Sequence, residues 1–256
     1  MSTSAFDITG RLALVTGSSR GLGYALATGL AQAGARVVLH GRDAAAVADA
    51  AGRIGAATGT EPATTTFDVT DAGAVAEGVA ELVVEHGVPD ILVNNAGVQR
   101  RAPFNDFDPA DWDAVVATNL SSVFYVSQQV TRGMAERGSG KVVNIGSVQS
   151  LLARQTIAPY SATKGGVAML TKGMAADLAR FNIQVNAISP GYFATEMNRA
   201  LVEDEAFSTW VTNRTPAQRW GRLEELVGTL VYLVSDASSF VSGQNIFVDG
   251  GMTSVV

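Results

Sequence analysis

The sequence predicts an α/β fold, a doubly wound parallel sheet of about seven strands with helices on both faces. Short apolar runs alternate with longer helical patterns almost from the start of the chain, and repeated strand–helix–strand units form parallel sheets. The early runs, such as Leu12–Val15, do not alternate between apolar and polar residues, which is typical of strands buried on both faces. We therefore expect ligands to bind at the carboxyl edge of the sheet, where the strand order reverses.

Seven short runs have the length of strands. They cover residues 12–15, 37–39, 64–68, 91–93, 141–145, 183–188 and 245–248. The patterns between them predict helices near residues 21–33, 43–55, 72–85, 108–138, 157–180 and 223–235.

Residues that begin or end helices support these boundaries. Gly34 ends the first helix, and Asp43 caps the second. Asp108-Pro109 opens the long fourth helix, with Asp as the N-cap and Pro at the first helical position. After Pro190-Gly191 the pattern becomes irregular, and we expect a substrate lid near residues 192–220.

The composition indicates one domain over residues 1–256, because no long Pro/Gly/Ser-rich tract or charge run marks a linker. The chain has no cysteine, which excludes disulfides and thiolate chemistry and is typical of a reducing compartment. His40 and His86 lie in separate predicted elements, so we predict no metal site. The net charge of −6 disfavours binding to nucleic acid or anionic membranes. Without a signal-peptide pattern or a long apolar span, we expect a cytoplasmic protein.

A glycine-rich loop, residues 16–23, lies between the first strand and the first helix. Its spacing is Gly-x-x-x-Gly-x-Gly, formed by Gly17, Gly21 and Gly23. Glycines there let backbone amides approach a pyrophosphate at the helix N-terminus. An ordinary turn would also use such glycines, so the loop needs support from other residues.

A hydroxyl, a phenol and an ammonium are predicted to meet at the carboxyl edge of the sheet. Ser147 follows the fifth strand, and Tyr160 and Lys164 lie one helical turn apart on one helix face. An ammonium about 4 Å from a phenol, at an effective dielectric near 20, favours the phenolate by roughly 4 kcal/mol, or about 3 pKa units. Tyr160 would then act as acid and base, with Lys164 tuning it and Ser147 binding the reacting oxygen.

These motifs resemble those of the short-chain dehydrogenases/reductases, in order along the whole chain. The family pattern is also matched by Asn94-Asn95-Ala96-Gly97, Asn119, Pro190-Gly191 and Asp249-Gly250-Gly251. The resemblance implies a Rossmann-type fold and hydride transfer between a nicotinamide and a substrate carbon. It also implies that Asn119 joins the catalytic set by supporting a proton relay, that Lys164 holds the nicotinamide ribose, and that Thr195 binds the carboxamide. The implied cofactor-binding residues are Gly17, Ser19, Arg20, Gly21, Leu22, Gly23, Arg42, Asp68, Val69, Asn95, Ala96, Gly97, Tyr160, Lys164, Pro190, Gly191 and Thr195.

The end of the second strand indicates NADP rather than NAD. NAD-dependent members of the family usually place an acid there, whereas this chain has His40-Gly41-Arg42. Arg20, in the glycine loop, lies beside the same region. Either arginine alone would be interpreted as an ordinary surface residue, but together their guanidinium groups can bind a 2′-phosphate bidentately.

Arg100 and Arg101 follow the fourth-strand motif, at the mouth of the predicted crevice, where a guanidinium would hold a carboxylate. We expect Arg101 to bind substrate with Ser147, Gln149 and Tyr160, and Arg100 to face solvent or another subunit.

Within the family, residues 99–101, 147–150, 190–197 and 214–221 resemble the branch that interconverts gluconate and 5-ketogluconate. Gly146 departs from that branch, in which we expect a cysteine. The alternatives are the branch that oxidises 2-dehydro-3-deoxygluconate, which generally keeps the acid and uses NAD, and the 3-oxoacyl carrier-protein reductases. A nucleotide-sensing regulator on this fold would predict an eroded catalytic set, which is intact here. The family also implies a homotetramer in which the helices of residues 108–138 and 157–180 pair across a two-fold axis, and the C-terminal strand forms a second interface.

Overall fold

A computed structural model describes residues 3–194 and 199–256. Its centre is one parallel sheet of seven strands in the order β3-β2-β1-β4-β5-β6-β7. The strands are β1 (Leu12–Val15), β2 (Arg36–Gly41), β3 (Ala63–Thr66), β4 (Ile91–Asn94), β5 (Gly140–Ile145), β6 (Ile183–Pro190) and β7 (Asn245–Val248). Every predicted strand is present, and the predicted fold class is confirmed.

The strand order reverses at β1, which pairs with β2 on one side and with β4 on the other. Val15 lies opposite Leu39 of β2 and Val93 of β4. The loops that follow β1 and β4 therefore leave the sheet in opposite directions and open a crevice at its carboxyl edge.

The described ranges contain nine α-helices. They are α1 (Gly21–Gln32), α2 (Ala44–Thr58), α3 (Ala72–His86), α4 (Pro109–Val116), α5 (Ser122–Arg137), α6 (Ala158–Leu178), α7 (Arg199–Glu203), α8 (Glu205–Arg214) and α9 (Val227–Val234). One apolar layer joins α1, α2 and α9 to the sheet, and a second joins α3, α5 and α6 to its other face. Ala13 and Val15 belong to the first layer and Leu12 and Leu14 to the second, which explains the unbroken apolar run of β1.

Two of the predicted helices are interrupted. The segment 108–138 contains α4, a π-helical turn at Ala117–Ser121 and α5. Its predicted start is present, because the Asp108 carboxylate accepts the Ala110 N–H at 2.8 Å. The last helix begins with a 3₁₀ turn, Leu223–Leu226, before α9. Within the described ranges, none of the helices combines the length and apolar character needed to cross a membrane.

Candidate active site

The glycine loop after β1 is fixed at the N-terminus of α1. Gly17 has a φ of +63°, and a Cβ there would lie 2.9 Å from the Cα of Ala96, so only glycine fits. A Cβ on Gly23 would collide with the Gly17 carbonyl oxygen and the Asn95 side chain. Asn95 Nδ2 donates to the carbonyls of Thr16 and Gly17, both at 3.0 Å. The loop is a rigid backbone cradle at a helix N-terminus, which suits a dinucleotide pyrophosphate.

The end of β2 lies beside this cradle and leaves no room for an acidic side chain. A Cβ on Gly41 would lie 2.8 Å from Cγ2 of Val47 and 3.7 Å from the hydroxyl of Ser19. An aspartate at this position would therefore have to displace Val47, whereas glycine leaves the edge open.

Three arginines surround this open edge. Arg20 is the exposed N-cap residue of α1, and Arg42 Nη1 lies 3.8 Å from a carboxylate oxygen of Asp68. This exposed ion pair is weak, so the Arg42 guanidinium can exchange its partner for a phosphate. Arg53, which sequence reasoning missed, donates to the Ser19 carbonyl at 3.4 Å. Its place on α2 carries no motif, and only the fold brings it here.

Asp68 and Val69 lie in the turn after β3. Asp68 accepts the N–H of Thr70 at 2.9 Å and its hydroxyl at 2.7 Å, while the Val69 side chain is buried. These contacts are those of a turn before α3, and adenine binding by the two residues stays a prediction.

Asn119 lies in the π-helical turn between α4 and α5 and is buried. Its Oδ1 accepts the Val98 N–H at 2.8 Å, and its Nδ2 donates to the Val98 carbonyl at 2.9 Å. Nδ2 also approaches Oγ1 of Thr163, on α6, at 3.4 Å. Asn119 therefore joins the loop after β4 to the helix that carries Tyr160. Widened turns of this kind are frequent at functional sites.

Ser147, Tyr160 and Lys164 meet at the carboxyl end of β5. Ser147 follows β5, and its side chain hydrogen-bonds that of Tyr160. Lys164 Nζ donates to the Ile145 carbonyl at 2.7 Å and lies 5.6 Å from the centroid of the Tyr160 ring. The predicted gathering of hydroxyl, phenol and amine is present in the structure.

Burial dominates the ionisation of this group. It raises the pKa of Tyr160, whereas the hydrogen bond with Ser147 lowers it. It also lowers the pKa of Lys164 to about 8. The chain alone therefore does not show the expected lowering of the Tyr160 pKa by Lys164: burial raises this pKa, and Lys164 is not among the groups that shift it.

A cleft opens beside Ser147 and Tyr160. It is lined by Gln99, Arg101, Ser147, Val148, Gln149, Arg154, Ile157, Tyr160, Gly191, Tyr192 and Leu201. The structure thus brings Arg101 and Gln149 to the reacting groups. Arg100 instead pairs with Asp111 at 3.1 Å, and both side chains are exposed.

Arg154 and Tyr192 line the same cleft. The sequence placed Tyr192 at the start of the expected lid but gave no role to Arg154. Burial lowers the pKa of Arg101, and the positive charge of Arg154 lowers it further. Burial raises the pKa of Tyr192, which the two arginines then lower. Arg154 stands in a loop without periodicity or motif, so no local signal marks it.

Gly146 faces β6 rather than the cleft. A Cβ there would collide with Oγ of Ser189. That hydroxyl accepts the Ser147 N–H at 3.1 Å and donates to Asn245 at 2.6 Å. The absence of a side chain at Gly146 leaves space for the hydroxyl that holds the Ser147 backbone.

The remaining predicted positions lie on the β6 side of the crevice. Pro190 ends β6, and a Cβ on Gly191 would lie 2.8 Å from the Cα of Asp249, so these two motifs pack together. Thr195 lies outside the described residues. Across residues 3–194 and 199–256, no group of three or more His, Cys, Asp or Glu side chains could hold a metal ion.

A rigid phosphate cradle and a serine, tyrosine and lysine at one sheet edge define a class of nicotinamide-dependent oxidoreductases. The chain belongs to the short-chain dehydrogenase/reductase family. A family model described as Enoyl-(Acyl carrier protein) reductase matches residues 17–253. The predicted family and its oxidoreductase chemistry are confirmed.

Individual relatives are similar over almost their whole length. Gluconate 5-dehydrogenase of Gluconobacter oxydans (strain 621H) is 56% identical over 248 residues, which cover 97% of this chain and 96% of that protein. 5-Keto-D-gluconate 5-reductase of Escherichia coli (strain K12) is 50% identical over 247 residues, 96% of this chain and 97% of that protein. The crystal structure of a gluconate 5-dehydrogenase from Burkholderia cenocepacia J2315, in complex with NADP and tartrate, has a TM-score of 0.97 and 53% identity and covers 100% of both chains.

Proposed function

We propose that this protein interconverts D-gluconate and 5-keto-D-gluconate with NADP(H). The observation that carries the proposal is the cleft in which Ser147 and Tyr160 share space with Arg101 and Arg154. Guanidinium groups bind carboxylates bidentately, and the described lining of this cleft includes no acidic residue that would repel one. The relatives named for this dehydrogenase and this reductase support the same substrate pair.

NADP supplies, when bound, the nicotinamide C4 that accepts or returns the hydride. The glycine loop would hold its pyrophosphate, and Arg20 and Arg42 its 2′-phosphate. Lys164 would hold the nicotinamide ribose and Thr195 the carboxamide. Two features of the chain support NADP over NAD. Val47 fills the space beside Gly41 that an acidic side chain would need, and Arg20 and Arg42 place positive charge near the end of β2. The NADP complex of the Burkholderia relative supports the same choice.

Tyr160 would move the substrate proton. In oxidation, the phenolate takes the proton of the C5 hydroxyl while the hydride leaves C5, and the C–O bond becomes a carbonyl. Ser147 donates a hydrogen bond to that oxygen and fixes its position. In reduction, Tyr160 returns the proton to the oxygen, and Asn119 supports the exchange of that proton with solvent.

The alternatives fit the site less well. A 2-dehydro-3-deoxygluconate 5-dehydrogenase would by family pattern carry an acid at the end of β2, where a side chain in place of Gly41 would collide with Val47. In a 3-oxoacyl carrier-protein reductase, two arginines that line a small cleft, as Arg101 and Arg154 do here, would have no clear role in substrate binding.

We further assign residues 192–220 to a substrate lid. The rings of Tyr192, Phe207, Trp210 and Trp220 pack together, with centroids 5.4–6.5 Å apart. Tyr192 belongs both to this cluster and to the lining of the cleft, so a movement of the cluster would open or close the cleft.

For the whole molecule we propose a cytoplasmic homotetramer that acts on small molecules and binds neither nucleic acid nor membranes. Phe124 on α5 is 47% exposed and Met169 on α6 is 64% exposed. These apolar side chains suit pairing of the two helices across a two-fold axis.

The test is a substrate and cofactor panel followed at the absorbance band of the reduced nicotinamide. Gluconate with NADP should give the highest kcat/KM, whereas activity with acyl thioesters only, or with NAD only, would redirect the assignment. Tyr160→Phe should lower kcat by at least about a hundredfold, as expected for loss of an acid/base group, while NADPH binding stays nearly intact. Tyr232→Phe is the matched control, and substantial activity in Tyr160→Phe would remove this residue from the reaction.

A further inference from the structure

Arg154 brings an unpaired buried donor into the cleft. It lies in the loop between β5 and α6, and its Nε is buried without a hydrogen-bond partner in the described part of the chain. Buried polar groups are nearly always hydrogen-bonded, so an orphan of this kind requires an explanation. A ligand that supplies an acceptor oxygen is the direct one.

A buried acceptor in the same cleft is also unpaired. Oε1 of Gln149 has no hydrogen-bond partner among the described residues, and Gln149 and Arg154 both line the cleft. A compound that carries a carboxylate next to a hydroxyl would supply an acceptor for Nε of Arg154 and a donor for Oε1 of Gln149. The carboxylate would accept from Arg154, and the hydroxyl would donate to Gln149.

Charge in the cleft points to the same kind of ligand. Arg154 lies close enough to Arg101 for its charge to disfavour the protonation of Arg101. In residues 3–194 and 199–256, neither arginine lies within ion-pair distance of a carboxylate. An anion placed between them would remove this repulsion and gain two charge-assisted contacts.

The guanidinium of Arg154 is positioned by an aromatic ring of α8. Its Cζ lies 5.1 Å from the centroid of the Phe207 ring, within the range of a cation–π contact. Phe207 in turn packs against Tyr192, with centroids 5.6 Å apart. Arg154 therefore connects the loop after β5 to the aromatic cluster above the cleft.

We propose that Arg154 is a specificity-determining residue that binds the substrate carboxylate together with Arg101, with its guanidinium oriented by Phe207. Gln149 accepts a hydrogen bond from the neighbouring hydroxyl, so the site selects hydroxy acids over uncharged polyols. The identity of the carboxylate as that of gluconate rests on the proposed function, but the binding of a hydroxy acid does not.

Kinetics of Arg154→Met against Arg100→Met provide the first test. Both variants lose one positive charge, but Arg100 is exposed and paired with Asp111 outside the cleft. Loss of a charge-assisted bond in Arg154→Met should raise the KM for gluconate at least about tenfold and change kcat by less than about threefold. Arg154→Lys should recover part of the affinity, and Arg100→Met should match the wild type.

A binding measurement makes the test independent of turnover. Calorimetry with tartrate, a dicarboxylic hydroxy acid, and the enzyme saturated with NADPH should give a Kd at least about tenfold higher for Arg154→Met than for Arg100→Met. The Kd should also rise less steeply with salt in Arg154→Met, because one ionic contact is gone. Phe207→Leu should weaken tartrate binding about threefold, since only the orientation of Arg154 is lost.

The outcomes separate the two proposals. Unchanged tartrate binding in Arg154→Met would overturn the role of Arg154, even if gluconate is a good substrate. Weakened tartrate binding in an enzyme that does not oxidise gluconate would overturn the proposed function and leave the hydroxy-acid site standing. If Arg154→Met fails to bind NADPH and is therefore misfolded, wild-type tartrate affinity in both Arg154→Lys and Phe207→Leu would refute the role.

Discussion

Buried Lys164 should make the stability of the cofactor-free protein depend on pH. Its pKa falls from 10.5 to about 8 on folding because burial disfavours the ammonium. The unfolded chain therefore binds the proton more tightly, and stability rises with pH through this window. At 1.36 kcal/mol per pKa unit, the penalty is about 3 kcal/mol. It is fully present below about pH 8 and disappears as the pH approaches the unfolded value of about 10.5.

Lys164→Met removes the charge and keeps most of the apolar volume. At neutral pH the variant should gain up to about 3 kcal/mol in the free energy of unfolding, less about 1 kcal/mol for the lost bond to the Ile145 carbonyl. Near pH 10 the gain should vanish or change sign, because wild-type Lys164 is then neutral. The same substitution should abolish gluconate oxidation if Lys164 holds the cofactor ribose.

Urea unfolding at equal protein concentration, without cofactor, at several pH values between about 7 and 10 measures this effect. Lys172→Met is the control, because Lys172 lies on the same helix but is exposed. The chain contains only Lys141, Lys164 and Lys172, so a lysine Nζ NMR titration can assign the signal missing from Lys164→Met. If the unfolding free energies of wild type and Lys164→Met stay parallel over this range, the desolvation argument is refuted.

Three further predictions test other parts of the site. Arg42→Ala should raise the KM for NADP about tenfold and leave that for NAD nearly unchanged, because only the 2′-phosphate loses a charge-assisted contact. Initial-rate kinetics with both cofactors check this, and equal losses would contradict it. Gly146→Ala should cost about 1–3 kcal/mol of stability by overpacking Ser189, and adding Ser189→Ala should recover part of it in thermal unfolding. A double variant with the full sum of both losses would speak against that contact. Since burial raises the pKa of Tyr160, kcat/KM for gluconate oxidation should rise about tenfold per pH unit from pH 7 to 9. A flat profile would mean that another group takes the proton.

The strands and the position of the site were predictable because their signals are local. Buried strands such as Leu12–Val15 read as continuous apolar runs, and parallel topology places the loops after them at one edge. The spacing of Tyr160 and Lys164 fixes their shared helix face without any tertiary information.

The hydrogen bonds that hold the site residues in position were not predictable, because they join residues far apart in the chain. Ser189 holds the N–H of Ser147 across 42 positions, and nothing near either residue signals the contact. The interruption of the predicted 108–138 helix at Asn119 has the same origin. Its side chain bonds the loop at Val98, 21 positions away, and this contact accompanies a π-helical turn.

The hydrogen bonds of Lys164 and of the Ser147 backbone show that the sheet holds the site residues in place before a ligand binds. An ammonium has three N–H donors, and Lys164 gives one of them to the Ile145 carbonyl at 2.7 Å. That bond anchors the amine to the end of β5 and leaves its other donors for a ligand. The Ser147 backbone is anchored in the same way by Ser189, of β6. Because neighbouring strands fix both residues, little reorganisation opposes the reaction once substrate is bound, which is the condition for strong electrostatic stabilisation. A substitution that loosens either anchor should therefore lower kcat more than it raises KM, whereas Arg154, which contacts only the remote end of the substrate, should show the opposite.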